Sequence, residues 1–215
     1  MPEVTEDTVL VRGKAAEQSC VAAAALPLAG AAAVAAVDAV DPQPGQVVFV
    51  NGASGGVGSY VIQLLAARGA TVVATGTAED TGRLAGLGAG FVVNHMSGPF
   101  TEQVRAEYPE GVDALIDLVS YAPDLLPLDA VRDGGTVASS VGAADPQVLA
   151  AAGLTGSNIM ASPVREVVGR LADQAADGTL QILVASELPL ERATEGLATI
   201  AEGRAHGKIV VTVDD

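Results

Sequence analysis

Tryptophan is absent from this 215-residue chain, cysteine occurs once, at Cys20, and lysine only at Lys14 and Lys208. A lone cysteine excludes a disulfide within the chain. Cys20 lies in an Ala-rich apolar segment, where it reads as a small core residue rather than a nucleophile. The histidines, His95 and His206, stand far from it and from each other, so no zinc-ligand spacing is visible. Positive charge is scarce: 11 Lys and Arg against 26 Asp and Glu leave a net charge of -15. Such a field repels polyanions, which argues against nucleic acid and anionic membrane surfaces as partners. The acidic residues are scattered, as on a solvated face. The apolar stretch from Val21 to Val40 is interrupted by Pro27, Gly30 and Asp38, so it reads as a buried helix and not a membrane span. With an acidic amino terminus in place of a signal peptide, the expected location is cytoplasmic.

Apolar residues are abundant, at 49% of the chain, enough for a sizeable core. The most informative stretch runs from Val47 to Ala66. A β-branched run, Val47-Val48-Phe49-Val50, breaks into Asn51-Gly52-Ala53-Ser54-Gly55-Gly56-Val57-Gly58, and apolar residues at helical spacing follow. Strand, glycine-rich turn and helix in this order form a phosphate cradle: absent Cβ atoms admit the anion to the backbone, and the first helical amides point at it. Against the G-x-G-x-x-G pattern, Ala53, Gly55 and Gly58 take the three small positions, with Ala replacing the first Gly. Ser54, Gly56 and Val57 fill the same turn. Glycine-rich turns also join strands to helices where no nucleotide binds. Here Thr71-Val72-Val73-Ala74-Thr75 adds a second strand and completes a βαβ unit.

Beyond it, strands are expected at 91–93, 113–118, 135–140, 181–185 and 208–213. Helices are expected at 79–87, 99–107, 123–131, 163–177 and 191–202. The alternation predicts an α/β fold of the doubly wound Rossmann type: a mostly parallel six-stranded sheet with helices on both faces. Ligands of such sheets bind beyond the carboxyl ends of the strands, which aligns residues 52–58, 75–77, 93–95, 119–121 and 139–142 along one rim. Residues 1–40 read as an amino-terminal remnant with a connecting helix, 41–205 as the dinucleotide-binding domain and 206–215 as a carboxyl-terminal strand. One short strand, Thr8 to Val11, is expected near the start.

Ala24-Ala25-Leu26-Pro27-Leu28-Ala29-Gly30, Pro44-Gly45-Gln46-Val47-Val48, the glycine-rich turn, Leu87-Gly88-Ala89, Gly111 to Asp117, Gly134-Gly135-Thr136-Val137 and Gly203 to Val211 follow one another in a telling order. Together they resemble the zinc-independent medium-chain dehydrogenases/reductases, in the quinone oxidoreductase and enoyl reductase branch. The resemblance implies hydride transfer from NADPH to a quinone or an α,β-unsaturated carbonyl, without zinc. It also implies a GroES-like catalytic domain before the Ala-Leu-Pro-Leu-Ala-Gly segment, which this sequence does not contain. The chain is then an excised domain, a natural short form or one half of an enzyme completed by another chain, and a homodimer or association with a catalytic domain is expected. In that family the final strand belongs to the absent domain, so Thr8–Val11 or a second copy is expected to cover it. The rival reading is a dinucleotide-binding module without turnover, or an enoyl reductase fragment of a larger synthase.

An Asp or Glu ending the second strand would hold the ribose 2′-hydroxyl of NAD and repel a 2′-phosphate. Thr75, Gly76 and Thr77 stand there instead, which favours NADP(H) while leaving NAD(H) possible. Glu79 and Asp80 occupy the places where the family carries a cation, and Arg83 is the nearest positive side chain. By resemblance, His95 lines the adenine pocket, Ser120, Ser140 and Gly142 the nicotinamide ribose, and Asn158 and Met160 the nicotinamide. Lys208 closes over the cofactor, and Ala32 replaces a frequent Thr. Tyr121 is the one tyrosine on the rim and the candidate proton donor. No metal ligand is expected.

Overall fold

The computed structural model describes residues 20–213; the expected strand at Thr8–Val11 lies outside them. Two helices open the described chain, α1 (Cys20–Ala25) and α2 (Pro27–Val40), with Pro27 at the start of the second, where a missing N–H costs nothing. Strand β1 (Val47–Asn51) leads through the glycine-rich turn into α3 (Gly56–Ala67). Then come β2 (Thr71–Gly76), α4 (Thr81–Gly86), β3 (Ala89–Asn94), α5 (Phe100–Glu107) and β4 (Val112–Asp117). The second half holds β5 (Val131–Ser139), α6 (Pro146–Ala151), β6 (Thr155–Asn158), α7 (Arg165–Ala176), β7 (Val184–Pro189), α8 (Ala193–Ala201) and β8 (Lys208–Thr212).

Six strands form one parallel sheet in the order β3-β2-β1-β4-β5-β6, the doubly wound Rossmann order. Alternate residues of a strand face opposite sides, so each central strand feeds two cores. Val48, Val50, Ala74 and Ile116 pack with Ile62 and Leu65 of α3, Val37 of α2 and Leu171 of α7. Phe49, Val73, Leu115 and Val137 pack with Val104 of α5 and Leu149 of α6. Burying such a side chain fully contributes roughly 1.5–3 kcal/mol, and both faces of the sheet are filled this way.

Several segments differ from the sequence expectation. The helix expected at 123–131 is two 3-10 turns, Pro123–Leu125 and Leu128–Ala130, because Pro127 lacks the N–H a helix needs and its ring collides with the preceding turn. The sixth strand of the main sheet is β6, not the segment expected at 181–185. That segment begins later, as β7, and pairs in parallel with β8 in a separate two-stranded sheet. The final strand therefore has a partner within its own chain. Cys20 is exposed, at the first residue of α1, and is no core residue.

Candidate functional site

In the observed strand order the chain runs from β1 outward to β2 and β3, then returns to β4 on the other side, which opens a crevice at the carboxyl ends of β1 and β4. Their register sets Asn51 opposite Asp117. Asn51 Nδ2 donates to Asp117 Oδ1 at 2.8 Å, and the same carboxylate accepts the Ser120 hydroxyl at 2.8 Å and the Ser120 amide at 3.1 Å. Asp117 is fully buried. Burial lifts its carboxyl above the ordinary range, and the donors from Ser120, Asn51 and the Val119 amide offset part of that rise.

The glycine-rich turn leaves β1 through Gly52, whose φ of 86° lies where side chains are disfavoured. Gly52 and Ala53 donate their amides to Thr75 Oγ1 at 2.8 and 3.4 Å. Thr75 is buried, and its hydroxyl braces the turn from β2. Gly55 caps α3 with no side-chain hydrogen bond, so the helix presents its first amides to the crevice. A Cβ on Gly58 would sit 2.5 Å from the carbonyl oxygens of both Gly52 and Ala53, which only glycine permits. One on Gly55 would meet nothing closer than Gly52 O at 3.5 Å.

Two adjoining cavities of about 350 and 400 Å³ share Gly52, Ser54, Val119 and Gly203. The first is lined by Gly55, Gly56 and Val57 beneath Lys208, whose stem runs so close to Gly56 that an added Cβ would lie 2.7 Å from its Cδ. The second is lined by Asn51, Thr75, His95 and Ser120, with Phe100 and Leu125 supplying apolar walls. Beside them, Thr77 donates its amide and hydroxyl to Asp80 Oδ2 at 3.0 and 2.9 Å. Arg83 Nη2 donates to Asp80 Oδ1 at 2.5 Å and to Ser54 O at 3.3 Å. Its Nη1 is buried with no hydrogen-bond partner among the described residues. His206 Nδ1 approaches Asp80 Oδ1 at 3.3 Å. Burial pushes the Asp80 carboxyl up, and the hydrogen bonds from Arg83 and Thr77 outweigh it and hold it below the ordinary range.

The remaining candidates stand apart from both linings. Tyr121 is 80% exposed and Met160 87% exposed. Asn158 turns to the loop before α6, accepting the Ala144 amide at 2.9 Å and donating to its carbonyl at 3.2 Å. Ser140 is tied by its amide to Asp117 O at 3.0 Å, and Gly142 has open space about it. Asn51, Asp117 and the approach of His206 to Asp80 are not among the residues singled out by the sequence. The first two were legible as polar residues ending apolar strands; the third depends on tertiary folding alone.

Among the described residues no three His, Cys, Asp or Glu side chains gather in a way that holds a metal. No described helix is long and apolar enough to cross a membrane. Residues 87–211 match the family model described as zinc-binding dehydrogenase. The chain is 27% identical over 209 residues to 2-methylene-furan-3-one reductase of Solanum lycopersicum, covering 94% of this chain and 49% of that protein. Among solved structures, an NAD-dependent alcohol dehydrogenase matches with a TM-score of 0.81 at 28% identity, over 93% of this chain and 60% of that one. The quinone oxidoreductase of Coxiella burnetii matches with a TM-score of 0.80 at 26% identity, over 89% and 60%. The chain thus spans about half the length of the curated relative. With the glycine-rich turn at the crevice, the strand order and this match in hand, the chain belongs to the zinc-binding dehydrogenase family, among the medium-chain dehydrogenases and reductases.

Proposed function

We propose that the chain is the cofactor-binding portion of an NADP(H)-dependent reductase acting on a quinone or an α,β-unsaturated carbonyl compound without zinc. The observation that carries this is the turn from Gly52 to Gly58: a bare cradle at the mouth of α3, packed so tightly at Gly58 that no side chain fits. Backbone amides there hold a diphosphate, and Lys208 lies across it as the counter-charge. The cavity beside His95 takes the adenosine end, with Phe100 and Leu125 as its apolar walls. Arg83, which reaches across to Ser54 of the turn, is the positive side chain that supports a phosphorylated ribose. Asp117 fixes Ser120 and Asn51 at the crevice so that the cofactor meets polar groups already in place.

Bound cofactor supplies the hydride; the protein orients it and excludes water. The relatives' names, an enone reductase and a quinone oxidoreductase, support a conjugated acceptor. Tyr121, the candidate proton donor, is exposed and lines neither cavity. Titrating NADPH and NADH into the chain, then adding small quinones and enones while following loss of NADPH absorbance, tests the reading. Binding of NADPH in preference to NADH is expected. Silence toward both dinucleotides would refute it, and tight binding without oxidation would favour a module that binds the cofactor without turning it over.

A further inference from the structure

The cavity beneath Lys208 has two walls that come from distant parts of the chain. One is the glycine-rich turn with the start of α3; the other runs from Gly203 to Ile209, where the chain passes from α8 into β8. Its width therefore depends on how the β7–β8 pair is set against α3. Gly56, Ser59 and Gln63 share one face of that helix, with Gln63 about two turns, or roughly 10 Å, along the axis from the cradle. Gln63 grips a single residue of the segment leading into β7: its Oε1 accepts the Gln181 amide at 2.7 Å, and its Nε2 donates to the Gln181 carbonyl at 3.1 Å. The same Nε2 donates to Ser59 O at 2.9 Å, so both of its hydrogens are used and the side-chain amide has one orientation. Just beyond Gln181, Leu183 O accepts the Lys208 amide at 3.1 Å, and the β7–β8 register opens beside it, with Val184 opposite Lys208. The backbone from which the lysine stem rises is thus tied to the helix whose first amides form the cradle. Leu180, Ile182 and Leu183 pack against the main core, which fixes the depth of the segment. Apolar packing has no direction, whereas a planar amide bonded to both polar groups of one residue sets its orientation.

We infer that Gln63 is a positioning residue for the cofactor's diphosphate: by holding Gln181 it sets the place of Lys208 above Gly56. This rests on the proposed dinucleotide site. Gln63 lines neither cavity and acts only through the lysine. With the side-chain amide removed, the segment before β7 turns more freely and the Lys208 stem loses its fixed seat against Gly56. The ammonium then samples a wider volume, and its attraction for an anion in the cradle weakens with the added distance. One helix therefore supplies both halves of the diphosphate site, its first amides directly and the counter-charge through a side chain two turns further on.

The probe is ADP, which carries the diphosphate without the nicotinamide, titrated calorimetrically into the full chain. Lys208→Met is expected to weaken ADP about tenfold and Gln63→Met, which keeps the side chain's length and loses its hydrogen bonds, about fivefold. The double variant should bind no more weakly than Lys208→Met alone, because the amide has nothing to position once the charge is gone. Gln63→Ala, favourable within a helix, serves where Gln63→Met fails to fold. A lowered melting temperature with unchanged ADP affinity would reduce Gln63 to a structural tie and overturn the inference, as would a loss that adds in full to that of Lys208→Met. If Lys208→Met itself leaves ADP binding unchanged, the inference fails while the dinucleotide site stands. If the unaltered chain binds neither ADP nor either dinucleotide, the site itself is misassigned and the inference falls with it.

Discussion

Gly55 and Gly58 sit three residues apart and answer to different demands. At Gly58 a methyl group would press on two carbonyl oxygens of the preceding turn, neither of which belongs to a side chain that can rotate away. Gly58→Ala is therefore expected to lower stability by about 1–3 kcal/mol, read in denaturant melts, with dinucleotide binding lost alongside. At Gly55 the backbone is extended and a Cβ meets only ordinary contact. Gly55→Ala should melt like the unaltered chain and lose affinity alone, because the methyl stands in the path of the diphosphate. Equal melting loss in both variants would show that the second glycine is structural. Asp117 carries a separate expectation. Its folded-state value is raised, so its stabilising contribution is present at pH below the unfolded carboxylate value and is lost as pH rises through the folded one. Comparing melting temperatures of Asp117→Asn and the unaltered chain as pH falls from neutral, the difference should move in favour of the unaltered chain; movement the other way contradicts a raised value. The glycines of the turn were readable in the sequence because their spacing is dictated by backbone alone. Thr75 was readable as a position but not in its action, since its hydroxyl points back to Gly52 and Ala53 rather than out to a ribose.

Elements with two buried faces declared themselves most plainly. β1, β2 and β4 are near-continuous apolar runs, as a central parallel strand must be, and their expected and observed bounds agree within about two residues. β6 did not, because Thr155-Gly156-Ser157-Asn158 is exposed along its whole length and is held to β5 by backbone pairing. An edge of small polar residues has no hydrophobic period to read. α6 was missed despite a clear start signal, Asp145 followed by Pro146, since its six residues are too few for periodicity. That signal is used: Asp145 Oδ1 accepts the amides of Gln147 at 2.8 Å and Val148 at 3.0 Å. Asp145→Ala should cost about 1 kcal/mol in a denaturant melt, and Asp145→Asn, which keeps an acceptor, markedly less. Equal losses would mean that the cap contributes nothing through its oxygen. The prolines at 123 and 127 are equally visible, and a proline in the interior of an expected helix outranks the apolar residues around it.

At the scale of the molecule, a net charge of -15 faces a cofactor that is itself an anion. The local surroundings of the crevice are favourable, with α3 amides, Lys208 and Arg83, while the long-range field is opposed. These act over different distances. A charge separated from the ligand by more than about 10 Å is largely screened at 0.1 M salt, whereas contacts within the cleft are screened far less. Raising ionic strength should therefore remove repulsion during approach before it weakens the bound contacts. In stopped-flow measurements the association rate of NADPH is expected to rise severalfold between about 10 mM and 150 mM monovalent salt, with the dissociation rate increasing less. NADH, which carries no 2′-phosphate and less charge, should show the smaller rise. An association rate that falls with salt for both dinucleotides would mean that the cleft's own cations steer the ligand in against the rest of the surface. The scattered acidic face would then have no part in the kinetics of cofactor capture.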